Sequence, residues 1–178
     1  MVLYFITGNK NKFQEAKAIL SSLEQLKIDL IEIQSDDAHE IIRAKLQEAF
    51  KHKTGEFIVE DTSLYLDCLN GLPGPLIKWF LKSIGNEGIY TLAQKLGNFD
   101  AEAKTYIGYA KNSQEISFYE GSVRGTIVQP KTKTAFGWDP IFQPNGYTKS
   151  FAELSQEEKN KISMRRIAFD KLSKALIK

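Results

Sequence analysis

The chain has one cysteine, Cys68, and two histidines, His39 and His52. A single thiol excludes an internal disulfide and any site built from several thiolates, and so few imidazoles argue against zinc. Both histidines fall in polar, helix-like sequence and read as surface residues. No apolar run approaches the ~18 residues of a spanning helix, and Met1 leads straight into Val2-Leu3-Tyr4-Phe5-Ile6 with no basic segment ahead of it. A cytoplasmic protein that does not bind a membrane is therefore expected. Charge of one sign is also missing: the formal net charge is +2. That excludes a surface made to coat nucleic acid, so an anionic ligand would have to be held by a few placed lysines.

What is present is the composition of an ordinary folded chain. Of 178 residues, 42% are apolar and 26% charged, too apolar for disorder and of a size for one domain. Residues 1–178 are therefore read as a single domain.

The first third alternates strands and helices. Val2 to Thr7 is an apolar run closed by Gly8-Asn9, as in a buried strand followed by a turn. A helix is predicted from Lys12 to Ser22, with Phe13, Ala16 and Leu20 on one face. Leu26, Ile28 and Leu30 alternate with Lys27 and Asp29, which predicts a second strand from Leu26 to Ile33. Ser35-Asp36-Asp37 opens a second helix with Ile41, Ile42, Leu46, Ala49 and Phe50 inward, and Phe57-Ile58-Val59 is the third strand. This βαβαβ order implies parallel pairing.

The middle is rich in turn formers. Asn70-Gly71-Leu72-Pro73-Gly74-Pro75 excludes helix or central strand, and Gly85-Asn86-Glu87-Gly88 separates two short predicted helices, Leu76 to Ser83 and Ile89 to Leu96. Glu102 to Lys111 and Glu115 to Gly121 flank a hairpin turn at Asn112-Ser113-Gln114, and a further strand is expected near Arg124 to Val128. The sheet should thus be mixed. Ser155-Gln156-Glu157-Glu158 is a capping box opening a final helix, with Ile162, Phe169, Leu172 and Leu176 on one face.

Ligands of open parallel sheets bind outside the carboxyl ends of the strands. Three such ends carry chemistry here: Thr7-Gly8-Asn9-Lys10-Asn11-Lys12, Glu32 near the end of the second strand, and Glu60-Asp61-Thr62 after the third. The first sets lysines at a helix N-terminus, which attracts phosphate, and the others bring carboxylates to the same rim. Mg²⁺ is typically held by one or two carboxylates with substrate phosphates, so the combination points to a metal-nucleotide site. Asp61 stands out, being an acid directly after an apolar strand. In Phe136-Gly137-Trp138-Asp139-Pro140, rings for stacking on a base sit beside a carboxylate that can accept from it.

Taken together, these segments resemble the inosine triphosphate pyrophosphatase family over almost the whole chain. The resemblance is carried by Thr7-Gly8-Asn9 with Lys12, Val59-Glu60-Asp61-Thr62, Gly71-Leu72-Pro73-Gly74-Pro75 with Ile77-Lys78-Trp79-Phe80, Phe136 to Pro140, and Glu158-Lys159-Asn160 with Ser163 and Arg165. It implies an elongated mixed α/β sheet with flanking helices, two lobes around a central nucleotide groove, and a homodimer. It implies hydrolysis of ITP, dITP and XTP to monophosphate and pyrophosphate with Mg²⁺ as cofactor. Thr7, Gly8, Asn9, Lys10, Asn11 and Lys12 resemble the triphosphate loop, with Lys45, Lys78 and Lys159 as further phosphate or sugar contacts and Thr62 at a substrate position. Asp61 resembles the residue that binds metal and activates water, and Glu32 aligns with the other metal carboxylate. Phe136, Gly137, Trp138 and Asp139 resemble the base-binding segment, and Arg165 a donor to the 6-oxo group. Where the family commonly reads Ser-His-Arg this chain has Ser163-Met164-Arg165, and methionine cannot donate a hydrogen bond. Met164→His is accordingly expected to widen the preference for ITP over ATP. Two other readings are compatible with the residues: a nucleotide-binding module without catalysis, and a broader pyrophosphatase that also takes modified pyrimidines.

Overall fold

The structure is a computed structural model that describes residues 2–131 and 137–177. Among the described residues the fold is mixed α/β. The strands are β1 (Leu3–Ile6), β2 (Glu24–Leu26), β3 (Glu56–Leu66), β4 (Pro73–Gly74), β5 (Asp100–Ala110), β6 (Ile116–Ile127) and β7 (Phe142–Pro144). The helices are α1 (Lys10–Ile19), α2 (Ala38–His52), α3 (Ile77–Ser83), α4 (Gly85–Leu96), α5 (Gln156–Ile162) and α6 (Met164–Leu176). The sheet runs β2-β1-β3-β5-β6-β7, with β4 added to β3. β1 is parallel to β2 and β3, whereas β4 on β3 and β7 on β6 are antiparallel. The chain divides into two compact units: residues 1–62, 105–121 and 164–178 form the first, and 63–104 with 122–163 the second.

In the first unit, strand alternation builds two apolar faces. Phe5 and Ile58 join Ala16 of α1 and Ala168, Phe169 and Leu172 of α6 in one cluster, with the Phe5 and Phe169 rings edge to face at 5.6 Å. Phe57 and Val59 point the other way, toward α2. There Phe57 meets Phe50 at 4.9 Å, and α2 lies so close to β5 that a Cβ on Gly108 would stand 2.2 Å from Ile42. On the other face, α6 crosses β6 at Gly121, where a Cβ would be 2.0 Å from the Met164 carbonyl oxygen. Burying these side chains against bare backbone locks both helices to the sheet.

The second unit has its own aromatic core. Trp138, Phe142 and Phe151 pack together with ring centroids 5.1 to 6.3 Å apart. β7 pairs with β6 close enough that a Cβ on Gly125 would meet the Gln143 carbonyl oxygen at 2.5 Å.

Several expected boundaries are corrected. The second strand spans only Glu24–Leu26, not Leu26 to Ile33. Its partner β1 is four residues long, so the ladder ends at Ile6 opposite Leu26, and Ile31 and Ile33 beyond it are exposed. Glu60, Asp61 and Thr62 lie inside β3 rather than after a strand ending at Val59. Gly85 to Gly88 form the first turn of α4, where Gly88 lets the backbone close over Ile84. Arg124 to Ile127 belong to β6 rather than to a separate strand. The capping box at Ser155 forms as expected, yet the last helix breaks at Ser163, whose ψ of 148° is extended, and Leu176 lies at the exposed end of α6.

Candidate active site

Alternation along β3 sends two adjacent acids to opposite faces. Glu60 shares the side of Ile58, where α1 and α6 lie, and its side chain is 1% exposed. Arg165 donates to it twice, from Nε at 2.8 Å and from Nη2 at 2.9 Å, while Lys12 stands 3.0 Å away and the Thr62 hydroxyl donates at 3.0 Å. Burial alone would raise the Glu60 pKa, but the Arg165 guanidinium and Lys12 ammonium outweigh it and hold the carboxyl well below the usual range. Arg165 also donates from Nη1 to Glu15 at 2.6 Å, and its pKa is raised in spite of burial because Glu60 and Glu15 favour the charged form.

Asp61 shares the side of Val59 and faces α2. Lys45, on the apolar face of α2 with Ile41 and Ile42, brings its ammonium 3.5 Å from Asp61 and 2.5 Å from Glu32. Glu32 reaches it from the 27–35 segment, which is neither helix nor strand, rather than from a strand end. Mg²⁺ needs one or two carboxylates beside phosphate oxygens. Glu32 and Asp61 already converge on one cation, so this donor set fits such an ion. Among the described residues no group of three or more acidic, histidine or cysteine side chains gathers into a metal cluster.

The turn after β1 is organised by its own side chains. Asn9 caps α1 by accepting from the N–H groups of Asn11 and Lys12, and its own N–H donates to Thr7 Oγ1. Three loop donors are thereby spent internally, so the helix end is not the bare N-terminus read from sequence.

In the second unit, Lys159 of α5 binds Asp139 directly, and both side chains are 13% exposed. The Lys159 ammonium also lies over the Phe151 ring at 5.5 Å. Trp138 is 6% exposed and belongs to the aromatic core. The Asn86 side-chain amide donates to the Gly137 carbonyl at 3.0 Å. Gly137 takes a φ of +57°, a conformation that favours glycine. Phe136 lies outside the described residues. Lys78 is exposed on α3, and Met164 is buried at the start of α6.

The structure therefore brings Lys12, Thr62 and Arg165 together around Glu60, Glu32 and Asp61 together around Lys45, and Asp139 together with Lys159. From sequence, Glu15 and Asn86 have no role and Glu60 is grouped with the rim carboxylates, whereas the structure buries Glu60 in an ion pair. Glu60 was findable, since its position two after Ile58 puts it on the core side, where an unpaired acid would be untenable. Glu15 stands three after Lys12 on the same helical face.

A curated inosine triphosphate pyrophosphatase of Schizosaccharomyces pombe is 39% identical over 174 residues, covering 96% of this chain and 92% of its own. One of the same name from Kluyveromyces lactis is 41% identical, covering 98% of this chain and 95% of its own. A solved HAM1 protein from Coxiella burnetii superposes with a TM-score of 0.89 over 99% of both chains at 23% identity, which shows the fold. The Ham1 family model matches residues 3–175, and the chain belongs to that family.

Proposed function

We propose that this protein is an Mg²⁺-dependent nucleoside triphosphate pyrophosphohydrolase that converts ITP, dITP and XTP to the monophosphate and pyrophosphate, clearing non-standard purines from the nucleotide pool. The observation that carries the reading is the convergence of Glu32 and Asp61 on a single cationic position, with the Lys12 loop in the same unit. The names of the curated relatives support the same chemistry.

In this reading Glu32 and Asp61 would hold the metal, which when bound neutralises triphosphate charge and stabilises the departing pyrophosphate. Asp61 also accepts a proton from the attacking water. Lys10, Lys12, Lys45 and Lys78 bind phosphate oxygens. Asp139, steered by Lys159, accepts from the purine N1–H, whereas Arg165, read from sequence as a donor to the 6-oxo oxygen, is buried and already donates to Glu60 and Glu15. Adenine reverses the donor and acceptor at those two positions, and each buried group left unpaired costs about 1 to 3 kcal/mol. With Trp138 buried in the aromatic core, stacking on the base falls to Phe136.

The whole chain acts as one catalytic domain, in the cytoplasm, as a homodimer, without binding nucleic acid or membrane; among the described residues no helix is long and apolar enough to cross one. Light scattering at micromolar concentration should give the dimer mass. The activity is tested by kcat/KM for ITP, XTP, GTP, ATP and dUTP with Mg²⁺. ITP and XTP should lead, and ATP hydrolysed as well as ITP would refute the oxopurine assignment.

A further inference from the structure

Resting on the metal assignment above, we propose that Lys45 is a resident cation that occupies Glu32 and Asp61 until a triphosphate arrives, so that the protein takes its divalent ion as a metal-nucleotide complex and not as the free ion. The ammonium stands 2.5 Å from one carboxylate and 3.5 Å from the other. A divalent cation on the same oxygens would be repelled strongly at that separation, so one cation must leave before the other binds. Lys45 is poorly placed simply to withdraw into water. Its side chain is 12% exposed, and its stem lies on the face of α2 that carries Ile41, Ile42 and Leu46. The ammonium therefore needs another anion within reach before it gives up the carboxylates, and triphosphate oxygens arriving beside it supply that.

The two acids differ in how they can respond. Asp61 is fixed within β3, whereas Glu32 sits on a segment outside helix and strand with its side chain 40% exposed, so Glu32 is the member that can reposition when Lys45 turns to phosphate. Apparent metal affinity falls by the fraction of molecules in the competent state. If Lys45 is displaced in about a tenth of molecules or fewer, free metal binds at least about tenfold more weakly than the bare carboxylates would allow. Selecting the complex keeps the site from filling with metal that would block entry of a nucleotide already carrying its own.

The test measures binding, with Mn²⁺ as the probe, by counting free Mn²⁺ by electron paramagnetic resonance with and without the α,β-methylene analogue of ITP. The parent and Lys45→Arg should bind free Mn²⁺ weakly and gain affinity when the analogue is present. Lys45→Met should bind free Mn²⁺ at least about tenfold more tightly than the parent without nucleotide, and Lys45→Gln carries the same comparison should the methionine variant not fold. Mn²⁺ binding that depends on the analogue in the parent, and is no tighter in Lys45→Met without it, overturns this proposal and leaves the metal assignment standing. No Mn²⁺ binding in parent or variant under either condition overturns both.

Discussion

Glu60 and Arg165, separated by 105 positions in sequence, form a two-point ion pair in the interior of the first unit. The pair ties β3 to α6, and through Glu15 and Lys12 it also ties in α1. Both groups are almost wholly removed from water. Removing one partner leaves a buried charge without its counter-ion, so Glu60→Gln should destabilise the fold by about 3 to 5 kcal/mol. Urea unfolding of parent and variant measures this, and a loss under about 1 kcal/mol would show that the pair contributes little.

Asp61, one residue further on, faces α2 and has a different duty. Asp61→Asn should fold like the parent, because the amide keeps the shape of a side chain that is not at the centre of the core. Its kcat should fall by about 10²- to 10⁴-fold or more with loss of the proposed base. Near-normal turnover in the folded variant would remove both roles assigned to Asp61.

The close crossing of α6 over β6 makes Gly121 a sensitive position. Gly121→Ala places a methyl carbon 2.0 Å from the Met164 carbonyl oxygen and 2.7 Å from the Ala168 nitrogen, both of which are backbone atoms. The helix must shift, at a cost of roughly 1 to 3 kcal/mol, and Arg165 shifts with it. A lower melting temperature accompanied by weaker ITP turnover is expected, and an unchanged melting temperature would show that α6 has more room than the geometry gives it.

Tyr109 gives a stability effect with a defined pH direction. Burial and its hydrogen bond to Glu56, at 2.7 Å, push its hydroxyl pKa above the usual tyrosine value. A group raised on folding contributes stability below its unfolded pKa, near 10, and loses that contribution as pH rises further. Tyr109→Phe should therefore cost about 0.5 to 1.5 kcal/mol at neutral pH, and the gap should narrow above about pH 10. A constant gap from pH 7 to 11 would contradict this.

The sequence makes elements legible wherever a periodic pattern is backed by burial or a cap is written locally. Phe13 and Ala16 locate α1, Ile41 to Ala49 locate α2, and Ser155 with Glu158 locates the start of α5. The Leu26 to Ile33 alternation misleads because a strand needs a partner of matching length, and β1 offers four residues. The break at Ser163 is hidden because serine is tolerated in either conformation, so nothing local marks the end of α5. Asp61 and Glu32 could be singled out from predicted strand ends and Lys45 from the family resemblance, but their convergence could not. It follows from the period of two in β3 and from the face of α2 that carries Lys45, and only the assembled fold relates those. Met164 shows the reverse case: it reads as a missing donor, while the structure buries its side chain, so packing is its first duty.

The account's central claim is that phosphate is released as pyrophosphate in one cleavage, and the most direct measurement is the identity of the products when ITP is incubated with the protein and Mg²⁺. Anion-exchange chromatography of early time points should show IMP and pyrophosphate rising together in equal amounts, with no IDP at any stage. IDP and orthophosphate appearing first would contradict the account.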